Sequence, residues 1–235
     1  MVGIELIKWG EKMVGIDISK WNGRIDFNKV KSAGVKFVII RAGFGVNGID
    51  RLFKANYKAA KEAGLKIGAY WYSYANTKAE LQNEISAFLN AIKGMQFEMP
   101  VYWDIEEKWG INNINYVIPT VCTALENAGY FAGYYTSASV NASVSDENKK
   151  RFTSWIAHWG KKAGRYKPMH QYSSTGEISG INGNVDLDFC SVDFPAIITA
   201  KKLNNTAIIA SDNRIQEAID KINAGVNILE NMKEV

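Results

Sequence analysis

The chain has 235 residues, 47% of them hydrophobic and 22% charged, with seven Trp, eleven Tyr and ten Phe. That length supports a sizeable core, and the composition excludes a disordered tail, a fibrous repeat and a disulfide-stapled miniprotein. Twenty-eight basic against 24 acidic residues give a net charge of +4, but the basic residues form no run or stripe, which leaves nucleic-acid binding unsupported.

At the N-terminus MVGIELIKW (1–9) recurs as MVGIDISKW (13–21), identical at six of nine positions. Glu5, Lys8, Glu11 and Lys12 interrupt any apolar run of signal-peptide length, and no later stretch approaches a membrane span. The expectation is a chain made in the cytoplasm without an export signal. Only the second copy of the repeat runs on into a capped helix, so the first strand belongs there and residues 1–12 read as an extension.

Eight short apolar or alternating segments follow: GIDIS at 15, KFVIIRA at 36, KIGAYWYSY at 66, PVYWDIE at 100, YFAGYYTS at 130, SWIAHW at 154, PMHQYS at 168 and VDLDFC at 185. Between the early ones lie helical patterns: DFNKVKSAG with Asp26 as N-cap, LFKANYKAAKEAG, KAELQNEISAFLNAIKG and NYVIPTVCTALENAG, each ending near a glycine. Between 137 and 185 only a short helical piece around 145–152 is legible. Strands alternating with helices predict a parallel sheet, and eight of them predict an α/β fold, an irregular TIM-like (β/α) barrel with fewer helices. An open doubly wound sheet is the alternative.

After Phe194 and Pro195 the texture changes. Ser211 or Asp212 can cap a helix whose Ile215, Ile219, Ile222, Val226 and Leu229 share one face, suited to packing on or capping the barrel, to binding a small partner or to self-association. The expected organisation is therefore an extension (1–12), a barrel (13–194) and a C-terminal linker with an amphipathic helix (195–235).

Strand parity nominates the chemistry. In VYWDIEE, Tyr102, Asp104 and Glu106 share one face opposite Val101, Trp103 and Ile105; Asp17 lies with Gly15 and Ser19; Asp186 and Asp188 lie opposite Val185, Leu187 and Phe189. If the apolar faces turn outward to helices, acids from three strands converge at the mouth where barrels do their chemistry. Converging carboxyls suit glycosidic cleavage, one protonated to donate to the leaving oxygen and others ionised. For Asp26 and Asp188 a cap or loop role is the simpler reading. Tyr70, Tyr72, Tyr102, Tyr135 and Trp159, with Arg41 and Gln171, are the candidate substrate contacts, aromatics being suited to sugar rings. Spacing leaves retaining and inverting outcomes both open.

Other chemistries fit less well. GFGVNG at 43–48 has the form of a dinucleotide-binding GxGxxG, but the next strand ends in YSYAN without a ribose-binding acid, so a turn is the better reading. His158 and His170 lack a zinc-motif context, no GxSxG elbow is present, and Cys122 and Cys190 form neither a metal spacing nor a disulfide framework. No metal or organic cofactor is expected.

GIDISKWNGRIDF, FVIIRAGFG, IGAYWYSYA, MPVYWDIE, GYYTS, WIAHWG and HQYSSTGEISGINGNVDLD occur in an order that resembles the glycoside hydrolase family 25 lysozymes, the Chalaropsis-type muramidases, including phage endolysins. The resemblance spans residues 13 to about 191. It implies an irregular β/α barrel that hydrolyses the β-1,4 bond from N-acetylmuramic acid to N-acetylglucosamine in peptidoglycan. It also implies Glu106 as general acid, Asp104 as its partner, Asp17 as the first-strand acid and Asp186 as the acid of the closing VDL segment. Asp186 is preferred to Asp188 because the family commonly has Asn at the latter position. Whether the substrate's acetamido group or a protein carboxylate attacks the anomeric carbon stays open. Resemblance to endolysins implies action on the cell wall after release through holin-made holes. His170 departs from the family, standing where Trp often precedes QY. A non-catalytic glycan-binding barrel and a chitinase-like glycosidase are the rival readings.

Overall fold

A computed structural model describes residues 9–206. The expected C-terminal amphipathic helix and the first copy of the repeat up to residue 8 lie outside the described residues. In chain order the strands are β1 (Trp9–Ile18), β2 (Phe37–Phe44), β3 (Gly48–Ile49), β4 (Lys66–Tyr72), β5 (Val101–Asp104), β6 (Ala132–Ser137), β7 (Thr153–Ala157), β8 (Met169–Gly176) and β9 (Val185–Val192). The helices are α1 (Phe27–Ser32), α2 (Phe53–Glu62), α3 (Lys78–Ile92), α4 (Lys108–Asn112), α5 (Ile114–Asn127), α6 (Ala138–Asn141), α7 (Asp146–Arg151) and α8 (Phe194–Ala200).

All eight expected strands are present, and pairing of β1 with β2 closes them into a barrel. The four early helices form where their patterns place them. Asp26 caps α1 by accepting from the amides of Asn28 and Lys29, and the positive φ of Gly34, Gly64, Gly94 and Gly129 lets the chain turn out of α1, α2, α3 and α5. GFGVNG makes the turn between β2 and β3, which pair antiparallel through Gly43 with Ile49 and Phe44 with Gly48. No helix begins there, so the turn reading holds.

Three expectations are corrected. The sheet is mixed rather than parallel: apart from the short β2–β3 hairpin, neighbouring strands from β1 through β8 run parallel, but β9 is antiparallel to both β8 and β1. Eight residues separate β8 from β9, fewer than the dozen or so a parallel crossover needs, so the chain must reverse. The first strand begins at Trp9, with an irregularity between Trp9 and Met13 in its pairing with β9, so residues 9–12 belong to the barrel. Likewise residues 195–206 are no linker, because Phe194 and Ile198 of α8 plug the interior and buried Asn204 accepts from the Phe131 amide at 2.6 Å and donates to the Met99 carbonyl at 3.0 Å.

Parity divides the core into two layers, as the alternation requires. Outward residues such as Ile16, Val38, Trp71, Val101 and Trp103 pack against Val30, Phe88, Val121 and Leu125 of the helices. Inward residues Phe37, Ile39, Tyr70, Tyr102, Tyr135, Trp155 and Met169 fill the barrel. Gly15 faces this interior because any Cβ there would strike the Phe37 ring. Cys122 and Cys190, both buried and free, lie in different layers.

Candidate active site

Side chains pointing inward above the aromatic filling reach the end of the barrel where the parallel strands finish. The reversal of β9 brings its start to that same end, and Asp17 at the end of β1 pairs in register with Asp186. On β5, Asp104 ends the strand inward-facing and Glu106 follows it, one residue before the N-cap of α4. Tyr135 reports the convergence: after burial, its hydroxyl pKa is raised by the charges of Asp104, Glu106, Asp17 and Asp186. All four acids thus lie within electrostatic reach of one tyrosine at this end of the barrel.

Their surroundings differ. Asp17 is buried and accepts from Gln171 Nε2 at 2.7 Å; burial, then Asp188 and Asp186, hold its pKa well above the usual carboxylate range. Asp104 is buried with Oδ1 unpartnered, and burial followed by the charge of Glu106 raises its pKa despite the opposing pull of Arg41. Glu106 is open to solvent, yet desolvation by the walls of the mouth raises its pKa; the Tyr135 hydroxyl opposes that shift and Glu107 adds to it. Asp186, half-buried, is pushed up to about 6 by burial and then by Glu106.

Beside Glu106 a cavity of about 340 Å³ is lined by Ile105, Ile111, Tyr135, Ala157 and Trp159. Trp159 is 56% exposed, its indole edge fixed by donation from Nε1 to Gln171 Oε1 at 2.9 Å. Tyr135 donates to the same oxygen at 2.9 Å, which makes buried Gln171 the joint between the cavity wall and Asp17. Tyr70 stands edge-on to Trp155 beneath the acids, its pKa raised by burial and then by Asp17. Tyr72 donates to Glu107 Oε1 at 3.0 Å. Among the described residues, no group of three or more His, Cys, Asp or Glu is placed to hold a metal ion.

Two candidates occupy different places from those the sequence suggested. Tyr102 is fully buried, its hydroxyl donating to Met169 Sδ at 3.4 Å; it fills the barrel and cannot touch a substrate. Asp188 is no cap or loop acid: it is fully buried on the inward face of β9 and accepts from Trp155 Nε1 at 2.8 Å. Arg41 does face the mouth, but its guanidinium is engaged by Asp50 at 2.9 Å. Asp50 also accepts from the Lys20 and Leu52 amides and so ties β2 to the segment after β1. Nothing in the GID sequence at 48–50 announces that clamp. His170 is buried on the outward side of Gln171, between Tyr166 and Tyr172, and its Nε2 lies 3.2 Å from the His158 carbonyl oxygen.

Comparison with known proteins fits this arrangement. Residues 16–181 match the model of Glycosyl hydrolases family 25. The autolytic lysozyme of Clostridium acetobutylicum is 34% identical over 181 residues, covering 75% of this chain and 55% of that protein. Lysozyme M1 of Streptomyces globisporus is 31% identical over 194 residues, covering 73% and 65% respectively. The chain therefore spans between about half and two thirds of the length of these relatives. Among solved structures, the bacterial lysozyme from Streptomyces coelicolor aligns with a TM-score of 0.70 at 27% identity, over 83% of this chain and 98% of that one. The CTP1L endolysin aligns with a TM-score of 0.69 at 25% identity, over 81% and 69%. A closed mixed barrel, acids from three strands at its mouth and a family match across most of its length lead to one conclusion: the chain belongs to family 25 of the glycosyl hydrolases.

Proposed function

We propose that the protein is a muramidase that hydrolyses the β-1,4 bond from N-acetylmuramic acid to N-acetylglucosamine in peptidoglycan. The observation that carries this reading is the arrangement at the mouth: Glu106, solvent-open beside the cavity and raised in pKa by desolvation, stands near Asp186, which burial and then Glu106 push up to about 6. A protonated carboxyl facing an ionisable one is what glycosidic cleavage needs. Glu106 donates its proton to the glycosidic oxygen as the C–O bond breaks. The ionised carboxylates, Asp186 foremost, stabilise the positive charge at the anomeric carbon. Water adds to that carbon and its proton returns to Glu106. Desolvation, with the charge of Glu107 added, favours the protonated form of Glu106, while Asp104 stands enclosed behind it. Tyr135 and Trp159 offer faces and edges for the sugar rings.

The lysozyme and endolysin names of the relatives support peptidoglycan as substrate and the bacterial wall as site of action. Access through holin-made holes, and wall binding or self-association by residues beyond 206, belong to the same proposal. Among the described residues no helix is long and apolar enough to cross a membrane. The test is release of reducing sugar from purified wall by wild type and by Glu106→Gln. The variant is expected to fold and lose nearly all hydrolysis; equal activity refutes the assignment. Faster cleavage of chitin oligomers than of peptidoglycan would favour the chitinase-like reading.

A further inference from the structure

The reaction above makes no use of Asp188, which is fully buried. Its Oδ1 accepts from Trp155 Nε1, no N–H or O–H donor reaches Oδ2, and its other hydrogen-bonding neighbour is the carboxyl of Asp17. Donor chemistry limits where a proton can sit. An indole nitrogen only donates, so Asp188 Oδ1 is an unprotonated acceptor. Gln171 Oε1 receives the Trp159 indole and the Tyr135 hydroxyl, which fixes the amide with Nε2 donating to Asp17 Oδ2. Asp17 Oδ2 is therefore an unprotonated acceptor as well. Two enclosed carboxyls in hydrogen-bonding contact do not both ionise. One proton is therefore shared between Asp188 Oδ2, the buried oxygen with no other partner, and the facing carboxyl of Asp17.

We propose that Asp188 is a positioning residue: it shares one proton with Asp17, so that the pair carries a single negative charge and Asp17 is held in place at the pocket by Gln171 on one side and Asp188 on the other. The shared proton stands independently of the hydrolase reading; only its catalytic consequence rests on it. The titratable groups facing Asp188 are Asp17 from β1, Asp186 and Cys190 from its own strand, Tyr102 from β5 and Tyr172 from β8. Burial first, and then Asp186, raise its pKa against the pull of the hydrogen bonds with Trp155 and Asp17. Arg41 acts on Tyr70 and Asp104. A folded-state pKa above the unfolded one gives stability that is complete at low pH and lost as pH rises through the folded value.

Asp188→Asn supplies an N–H donor that never titrates, whereas Asp188→Leu supplies none. Isotope-edited infrared spectroscopy of the whole chain at pH 7 should show a protonated-carboxyl C=O band in wild type that Asp188→Asn removes. The Asn variant should also lose less stability than wild type between pH 5 and pH 9. On wall substrate, Asp188→Leu should lose kcat by roughly tenfold or more, the size of one charge-assisted hydrogen bond, with KM little changed. Asp188→Asn should restore most of that loss and extend activity to more alkaline pH. No difference in the infrared band, or identical pH profiles for Asn and Leu variants, overturns the proposal. If wild type does not hydrolyse peptidoglycan, the hydrolase reading fails while band and stability profile still decide the pair; both also serve should Asp188→Leu not fold.

Discussion

Gln171 and Asp17, 154 positions apart, meet through a 2.7 Å hydrogen bond that joins β8 to β1 across the intervening β9. Because the same amide accepts from Tyr135 and Trp159, one side chain sets both an acid and the cavity wall. Replacing it with leucine leaves these donors and a carboxylate oxygen without their partner. We expect Gln171→Leu to cost about 1–3 kcal/mol, read as a lower urea midpoint, and to raise KM on wall substrate. An unchanged midpoint would show that water replaces the amide without penalty.

Asp186 titrates near 6 partly because Glu106 is close to it. Removing that charge must make ionisation of Asp186 easier. In Glu106→Gln its pKa, followed by carboxyl ¹³C NMR, is expected below the wild-type value. In wild type, hydrolysis should weaken as pH falls through about 6 and Asp186 takes up its proton, and Asp186→Asn should abolish that limb while lowering the rate. A pKa for Asp186 indifferent to residue 106 would separate the two groups.

On the outer side of β4, almost fully buried Glu84 of α3 accepts from the Tyr74 amide at 3.1 Å and anchors the segment after the strand. Burial lifts its pKa from 4.5 to about 7, against hydrogen bonds from Ser73 and Tyr74. The folded pKa exceeds the unfolded one, so its stabilising contribution is complete below 4.5 and lost as pH rises through about 7. Glu84→Gln keeps an acceptor and removes the titration. Relative to wild type it should become progressively more stable from pH 5 to pH 8 in urea unfolding; parallel curves for the two proteins would contradict this.

Asn204 closes the barrel floor by satisfying the Phe131 amide and the Met99 carbonyl. Asn204→Ala strands both groups away from solvent. A loss of about 1–3 kcal/mol is expected for each, visible as a reduced Tm, with little effect on kcat because the opposite end of the barrel carries the acids. A large drop in kcat at temperatures where the variant remains folded would argue against this separation of floor and mouth.

Local features of the fold were legible because their causes are local. Alternation in VYWDIEE assigns Asp104 and Glu106 to one face, and the glycines after four helices mark where the chain turns. The misreadings concern what stands across the barrel. Tyr102 and Tyr135 share the inward face of neighbouring strands, yet only Tyr135 reaches the mouth, since depth depends on where each residue falls along its strand. Asp188 carries no sequence mark separating it from a surface acid.

By itself the sequence determined the number and order of the barrel strands, the face each side chain takes, the caps of the early helices and the acids available for catalysis. These follow from side-chain period and backbone preference within a few residues. Tertiary structure alone decided that β9 runs backwards, so that Asp186 reaches the mouth while Asp188 is enclosed beneath it. It also decided that Asp50 engages Arg41 and that Gln171 links Asp17 to Trp159. Pairing, burial and proton placement depend on groups brought together by closure of the barrel, and no short stretch of chain contains both members of such a pair.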